Sequence, residues 1–288
     1  MTAVFKREIG SYFKGVLGYL LAAFLLVFAG IYCMAYNLSG YYANFEYVLS
    51  SIAFIYLIAV PIISMRTVAE EKRQKTDQLL YSLPIRLSDV VVGKYLAMLV
   101  VLAVPTLVMA FYPLVLSQFG TVSFATAYGA LAAFFLLGAC LLSIGLFISS
   151  VTESQVAAAV ITLVTMLLLF FMSDLSSFVS SDASASMLAL CVLVLVFAVI
   201  VQMFTHNSIV AVLVGLLGVG GIQVWYRMDA LAFSGLFPQM MKAISVFDRF
   251  DAFTDGVFDL TSVVYYLSVS AVMLFMTVQV MEKRRWAE

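Results

Sequence analysis

Between positions 66 and 94 the chain gathers Arg66, Glu70, Glu71, Lys72, Arg73, Lys75, Asp77, Arg86, Asp89 and Lys94, with long uncharged apolar runs on either side. The chemistry open to such a set is ionic pairing. A segment this polar between two membrane spans stands in water, because hydrocarbon does not hold its charges. Two uses fit these residues equally. One is a solvated helix face steadied by i,i+4 pairs such as Glu71 with Lys75. The other is a surface on which a second protein pushes.

Other chemistries lack their residues. No G-x-x-x-x-G-K-[ST] phosphate loop exists: Gly93-Lys94 is followed by Tyr95 and has no upstream glycine. No paired His/Glu metal motif and no nucleophile elbow occur. If ATP drives this protein, another chain binds the nucleotide and its Mg, and no cofactor or metal is expected on this one. Stretches 15–45, 95–152 and 260–281 carry no Asp, Glu, Lys or Arg. Proton relays and voltage sensors place ionisable groups at mid-membrane, so neither fits. The single histidine, His206, falls at an expected turn, and Cys33, Cys140 and Cys191 sit in apolar runs as small hydrophobes.

The elements that must position the charged segment follow from composition. Of 288 residues 64% are hydrophobic and 11% charged, against about 25% charged in soluble domains. The expected fold is all-α, a polytopic transmembrane helical bundle. Eight spans of sufficient length are expected, at 16–36, 48–66, 93–117, 124–150, 155–173, 187–204, 208–226 and 260–281. The stretch 16–36 is too long for a signal core of about 7–15 residues, so the first span is expected to remain. With the N-terminus in the cytoplasm, 12 of the 15 basic residues lie inside, and outside fall only Arg227, Lys242 and Arg249. The even span number returns the C-terminus to the cytoplasm.

Local signals fill in the rest. Residues 1–15 read as an amphipathic helix on the inner leaflet, with Val4, Phe5, Ile9 and Phe13 on one face and Lys6, Arg7, Ser11 and Lys14 on the other. Residues 68–81 read as a helix stopped by Pro84, and Ser88 as the N-cap of the next helix with Asp89 at its positive end. Small residues recur at packing spacing in Ala139 and Ser143, Gly145 and Ser149, and Gly215, Gly218 and Gly221. Pro61 and Pro105 each remove a backbone donor within a span.

Taken in order, several pieces resemble the membrane subunits of type-2 ABC exporters, particularly the gliding-motility-like branch. They are the amphipathic start Phe5-Lys6-Arg7-Glu8 through Tyr12-Phe13, then Glu70-Glu71-Lys72-Arg73-Gln74-Lys75-Thr76-Asp77-Gln78-Leu79-Leu80, then Ser82-Leu83-Pro84 and Gly93-Lys94. Next come the turn Thr152-Glu153-Ser154-Gln155 and the tail Phe247-Asp248-Arg249-Phe250 through Gly256 and Asp259 to Tyr265-Tyr266. The resemblance implies one permease domain over 1–288 in a prokaryotic cytoplasmic membrane. It would work as a dimer, with a second copy or a paralogue, beside a separate ABC ATPase subunit. The hairpin 66–94 would then carry the coupling helix, with Glu70, Glu71, Lys72 and Arg73 as docking charges and Thr76, Leu79 and Leu80 at the contact. Glu153 would make a second, smaller contact. The outer segment 227–259 would hold short amphipathic helices and a gate built from Asp248, Arg249, Phe250, Phe253 and Asp259, or would simply anchor aromatic residues at the interface. Six spans are usual in that class, so 187–204 and 208–226 form an extra pair. An ATP-independent carrier, or a scaffold that transmits force without flux, is the alternative reading.

Overall fold

The computed structural model describes every residue except 41, 77–85, 206, 207 and 288. Among the described residues the chain is helical without a strand. All eight expected spans fall on helices. Six are long and apolar enough to cross a membrane: Leu17–Leu38, Phe45–Arg73, Leu87–Leu116, Phe124–Val151, Ser208–Met228 and Leu260–Arg285. The fifth expected span is instead a pair, Gln155–Phe170 and Met172–Phe178, bent by 56°. The sixth lies in Ala183–Thr205, a helix of 23 residues.

The chain divides into two units: Met1–Leu168 with Val246–Glu288, and Leu169–Ser245. In the first, α1 (Thr2–Lys14) precedes α2 (Leu17–Cys33), which runs on through a π-turn, Met34–Leu38. The second span is assembled from α3 (Phe45–Ile52), a 3-10 turn, α4 (Tyr56–Ser64) and, after a break at 65–68, α5 (Ala69–Arg73). Then come α6 (Leu87–Met109), the short α7 (Tyr112–Leu116) and α8 (Phe124–Val151). Pro61 and Pro105 sit inside α4 and α6.

Helix α8 is the axis of this unit. It packs against α3, α4, α5 and α6, and against α15 (Leu260–Ala287), which closes the chain. Its small residues explain why so many neighbours fit. A Cβ on Gly145 would lie 2.6 Å from Ser64 Oγ, and one on Gly138 would lie 2.6 Å from Leu102 and 2.8 Å from the Tyr56 ring. Without those side chains α4 approaches α8 closely enough for Tyr56 to donate to the Phe134 carbonyl at 3.0 Å. The Gly145 spacing read from the sequence therefore serves packing within the chain.

In the second unit, α9 (Gln155–Phe170) having ended, the chain forms α10 (Met172–Phe178), α11 (Ala183–Thr205), α12 (Ser208–Met228) and α13 (Leu236–Ile244). Helices α11 and α12 lie together, and a Cβ on Gly218 would fall 2.4 Å from Val194. Gly221 is different: a Cβ there would meet nothing within 4 Å. Trp225 and Tyr226 close on Phe233 with ring centroids 5.0 and 5.5 Å away.

Candidate functional site

The charged segment is built around an elbow. After α4 the backbone breaks at 65–68, and a break in a helix leaves carbonyls and N–H groups without intrahelical partners. Side chains of three other helices supply those partners. Tyr12 of α1 donates to the Ile63 carbonyl at 3.0 Å, and Lys94 of α6 donates to the Thr67 carbonyl at 2.7 Å. Ser149 of α8 accepts from the Val68 and Ala69 N–H groups at 3.2 and 3.1 Å. The last contact does for α5 what an N-cap side chain does from within the chain. Ser149 is fully buried, so Ser149→Ala should strand both donors and cost about 1–3 kcal/mol, read as a lower thermal midpoint in detergent.

Beyond the elbow the helix expected over 68–81 is interrupted, since α5 ends at Arg73, and its part at 77–81 lies outside the described residues. Lys75 takes a left-handed φ of 55°, its N–H bonds to the Lys72 carbonyl, and the Thr76 N–H reaches back to Glu71 at 3.0 Å. This is a Schellman closure with lysine where glycine is usual. It also removes the expected Glu71–Lys75 pair, since Lys75 has left the helix. The i,i+4 pair present is Arg66 with Glu70, at 2.8 Å. On the far side, α6 is preceded by Arg86 as N-cap, with no side-chain cap bond. Ser88 therefore lies inside the first turn, while Asp89 stands at its positive end as expected.

The charges at the site divide by direction. Lys94 is 1% exposed and pairs with Glu8 and Glu71, each at 3.0 Å. Arg7 closes the group, 2.7 Å from Glu8 and hydrogen-bonded to Glu71. Burial opposes ionisation of Glu8, but Lys94 and the bonds from Arg7 and Lys94 outweigh it and hold the carboxyl below its ordinary range. Lys72 is buried and donates to the Ser150 carbonyl at the end of α8. Arg73 and Thr76 stand exposed, with Glu70 partly so. Leu79 and Leu80 lie outside the described residues. A polar cavity of about 300 Å³ opens between α1 and α5, lined by Arg7, Glu8, Arg66, Glu70, Glu71 and Lys94 among others. Exposed Glu153 meets Arg284 of α15 at 3.0 Å. The N-terminal helix, the charged segment, the turn after α8 and the end of the last helix are thus linked through side chains at one end of the unit.

Glu8, Tyr12, Thr67, Ser149 and Ser150 were not legible as site residues. The sequence assigned the apolar stripe of α1 its importance, yet Glu8 and Tyr12, one turn apart, are the residues of α1 that are buried. The available signal was a lone carboxylate in α1 and a lone ammonium heading an uncharged run.

The expected gate residues lie elsewhere in the same unit. On α14 (Asp248–Thr254), Phe250 and Phe253 are buried and the Phe250 ring is 6.1 Å from Phe134 of α8. These aromatics pack into protein rather than resting at an interface. Arg249 lies over the Tyr265 ring at 3.9 Å, and Asp248 is half-buried in the first turn of α14. Asp259 accepts from the Thr261 and Ser262 N–H groups at 3.0 and 3.1 Å and so caps α15.

The unit is apolar and helical, with its charges clamped at one end. No curated protein matches the chain. A family model described as ABC-2 family transporter protein matches residues 9–281, from within α1 to the last turns of α15. The match takes in both the charged segment and the spans, and the chain belongs to the ABC-2 family of transporter proteins, as a multi-pass membrane permease subunit of an ABC transporter.

Proposed function

We propose that this chain is half of the membrane portion of an ATP-driven exporter in a prokaryotic cytoplasmic membrane, paired with a second copy or a paralogue. Two ABC ATPase chains would move it from the cytoplasm through α5. Eight crossings with both termini cytoplasmic accord with the distribution of its basic residues. The observation that carries the reading is the elbow at 65–68: a short charged helix at the end of the second span, tied to α1, α6 and α8, would transmit displacement without melting. In this reading Glu70, Arg73 and Thr76, with Leu79 and Leu80, meet the ATPase, while Glu71 and Lys72 hold α5 to the spans. Glu153 makes the smaller contact, and the segment containing Asp248, Arg249, Phe250, Phe253 and Asp259 closes the outer end. The uncharged spans suit an apolar or amphipathic substrate taken from the bilayer.

The test is association. Tagged protein in nanodiscs should capture the nucleotide-binding subunit encoded beside it, and Arg73→Glu with Thr76→Arg should cut capture at least tenfold while insertion is unchanged. A wild-type protein that captures no ATPase overturns the coupling reading. Capture without ATP-dependent movement of a fluorescent lipid analogue or other apolar probe favours a force-transmitting scaffold. Movement without nucleotide favours a carrier.

A further inference from the structure

Three segments far apart in sequence converge on one ammonium group. Lys94 heads the third span, is 1% exposed, and meets the Glu8 carboxylate of α1, the Glu71 carboxylate of α5 and the Thr67 carbonyl of the elbow at 3.0, 3.0 and 2.7 Å. Two of its N–H donors make hydrogen bonds, to Glu8 and to the Thr67 carbonyl, and Glu71 adds a second carboxylate at ion-pair distance. Arg7 bonds to both carboxylates and balances their charge. Burial of the group is tolerable because charge and hydrogen bonds are both matched.

The neighbouring glycine makes the geometry possible. A Cβ on Gly93 would lie 3.3 Å from the Met1 carbonyl oxygen and 3.4 Å from Val4. A methyl there would require α1 to give by a few tenths of an ångström, and a larger side chain would require more. Gly93 and Lys94 act as a pair, the first admitting α1 and the second fastening it. Along the backbone, α5 and α6 are separated by residues 74–86, and α1 and α5 by two spans. Through Lys94 all three meet at one atom.

We propose that Lys94 is the joint that makes α1, α5 and the head of α6 a single rigid body, so that displacement of α5 reaches the third span and the interfacial helix through this ammonium. Lys94 is a positioning residue in this scheme, since it touches neither substrate nor nucleotide. The proposal rests on the coupling reading only for the origin of the force; the rigidity belongs to the permease alone. A swing of α5 by itself would part Glu71 from an ammonium that is 1% exposed, where separation of opposite charges is opposed more than in bulk water. Moving the three together keeps every pair intact.

Two distance measurements separate the joint from the coupling reading. With Cys33, Cys140 and Cys191 replaced, spin labels at Ser11→Cys on α1 and Thr76→Cys after α5 should give one narrow distance in nanodiscs. Lys94→Met should broaden that distribution at least twofold. Glu8→Gln, which keeps the side-chain shape, should do the same and decides the matter if Lys94→Met does not fold. Unchanged widths in both variants overturn the joint, whether or not any ATPase binds. In the complex with the captured ATPase, labels at Ser11→Cys and at Ser268→Cys on α15, which lies outside the joint, should shift on trapping with ATP and vanadate. Lys94→Met should lose that shift while capture persists. A shift that survives Lys94→Met shows that force reaches α1 by another route and also overturns the proposal.

Discussion

Glu8→Ala combined with Glu71→Ala should lower stability by about 3–5 kcal/mol, because it leaves the Lys94 ammonium buried without a counter-charge. Lys94 is 1% exposed and keeps only the Thr67 carbonyl in that variant; water entering from the adjoining polar cavity hydrates the ammonium but brings no counter-charge. Adding Lys94→Met should return much of the loss, since an apolar side chain has no charge to strand. Thermal unfolding in detergent for the parent, the double and the triple variant checks this ordering. A triple variant no more stable than the double would mean that the carboxylates act through Arg7 rather than through Lys94. Acid should weaken the same contact. The Glu8 carboxyl titrates below its ordinary value of 4.5, so its contribution is complete above that pH and disappears as pH falls through the lowered value. In Glu8→Gln the unfolding midpoint should lose this acid dependence.

Gly145→Ala should cost about 1–3 kcal/mol through overpacking, although alanine is the better helix former. The new methyl would lie 2.6 Å from Ser64 Oγ and 2.7 Å from Ser64 Cβ, and the latter is fixed to the α4 backbone. Relief requires α4 to move off α8, which also loosens Tyr56 from the Phe134 carbonyl. Gly221→Ala is the matched control. A Cβ there meets nothing within 4 Å, so helix propensity alone should raise stability by about 0.5–1 kcal/mol. Opposite signs for two Gly→Ala changes in apolar helices would confirm that close approach sets the sign; equal signs would refute it.

Hydropathy and charge placed the helices and the polar segment well because both are local properties of the chain. The break after Val151 follows from the edge of an uncharged run, and the start of α8 at Phe124 from the polar stretch at 117–123. What failed to show was pairing across distance. Lys94 reads as a solvated residue at the head of a span, and only Glu8 and Glu71, 86 and 23 positions away, make its burial possible. The end of α5 was hidden for another reason. Glu70 to Thr76 contains neither glycine nor proline, so nothing local announces that Lys75 adopts a left-handed conformation. Asp259 lay in plain view as a capping residue type but was read as part of a gate; in the structure its oxygens accept from the backbone of α15.

The elbow also imposes an order on biogenesis. Its two N–H donors wait for Ser149, which lies 80 residues downstream of Ala69. A ribosome delivers the N-terminal part first, so the second span must leave the translocation machinery with that corner unfinished. The fourth span completes it on arrival, by lateral association within the bilayer. A nascent chain halted before Ser149 therefore holds the charged arm without its keystone, and the corner locks only after about half of the polypeptide has been made.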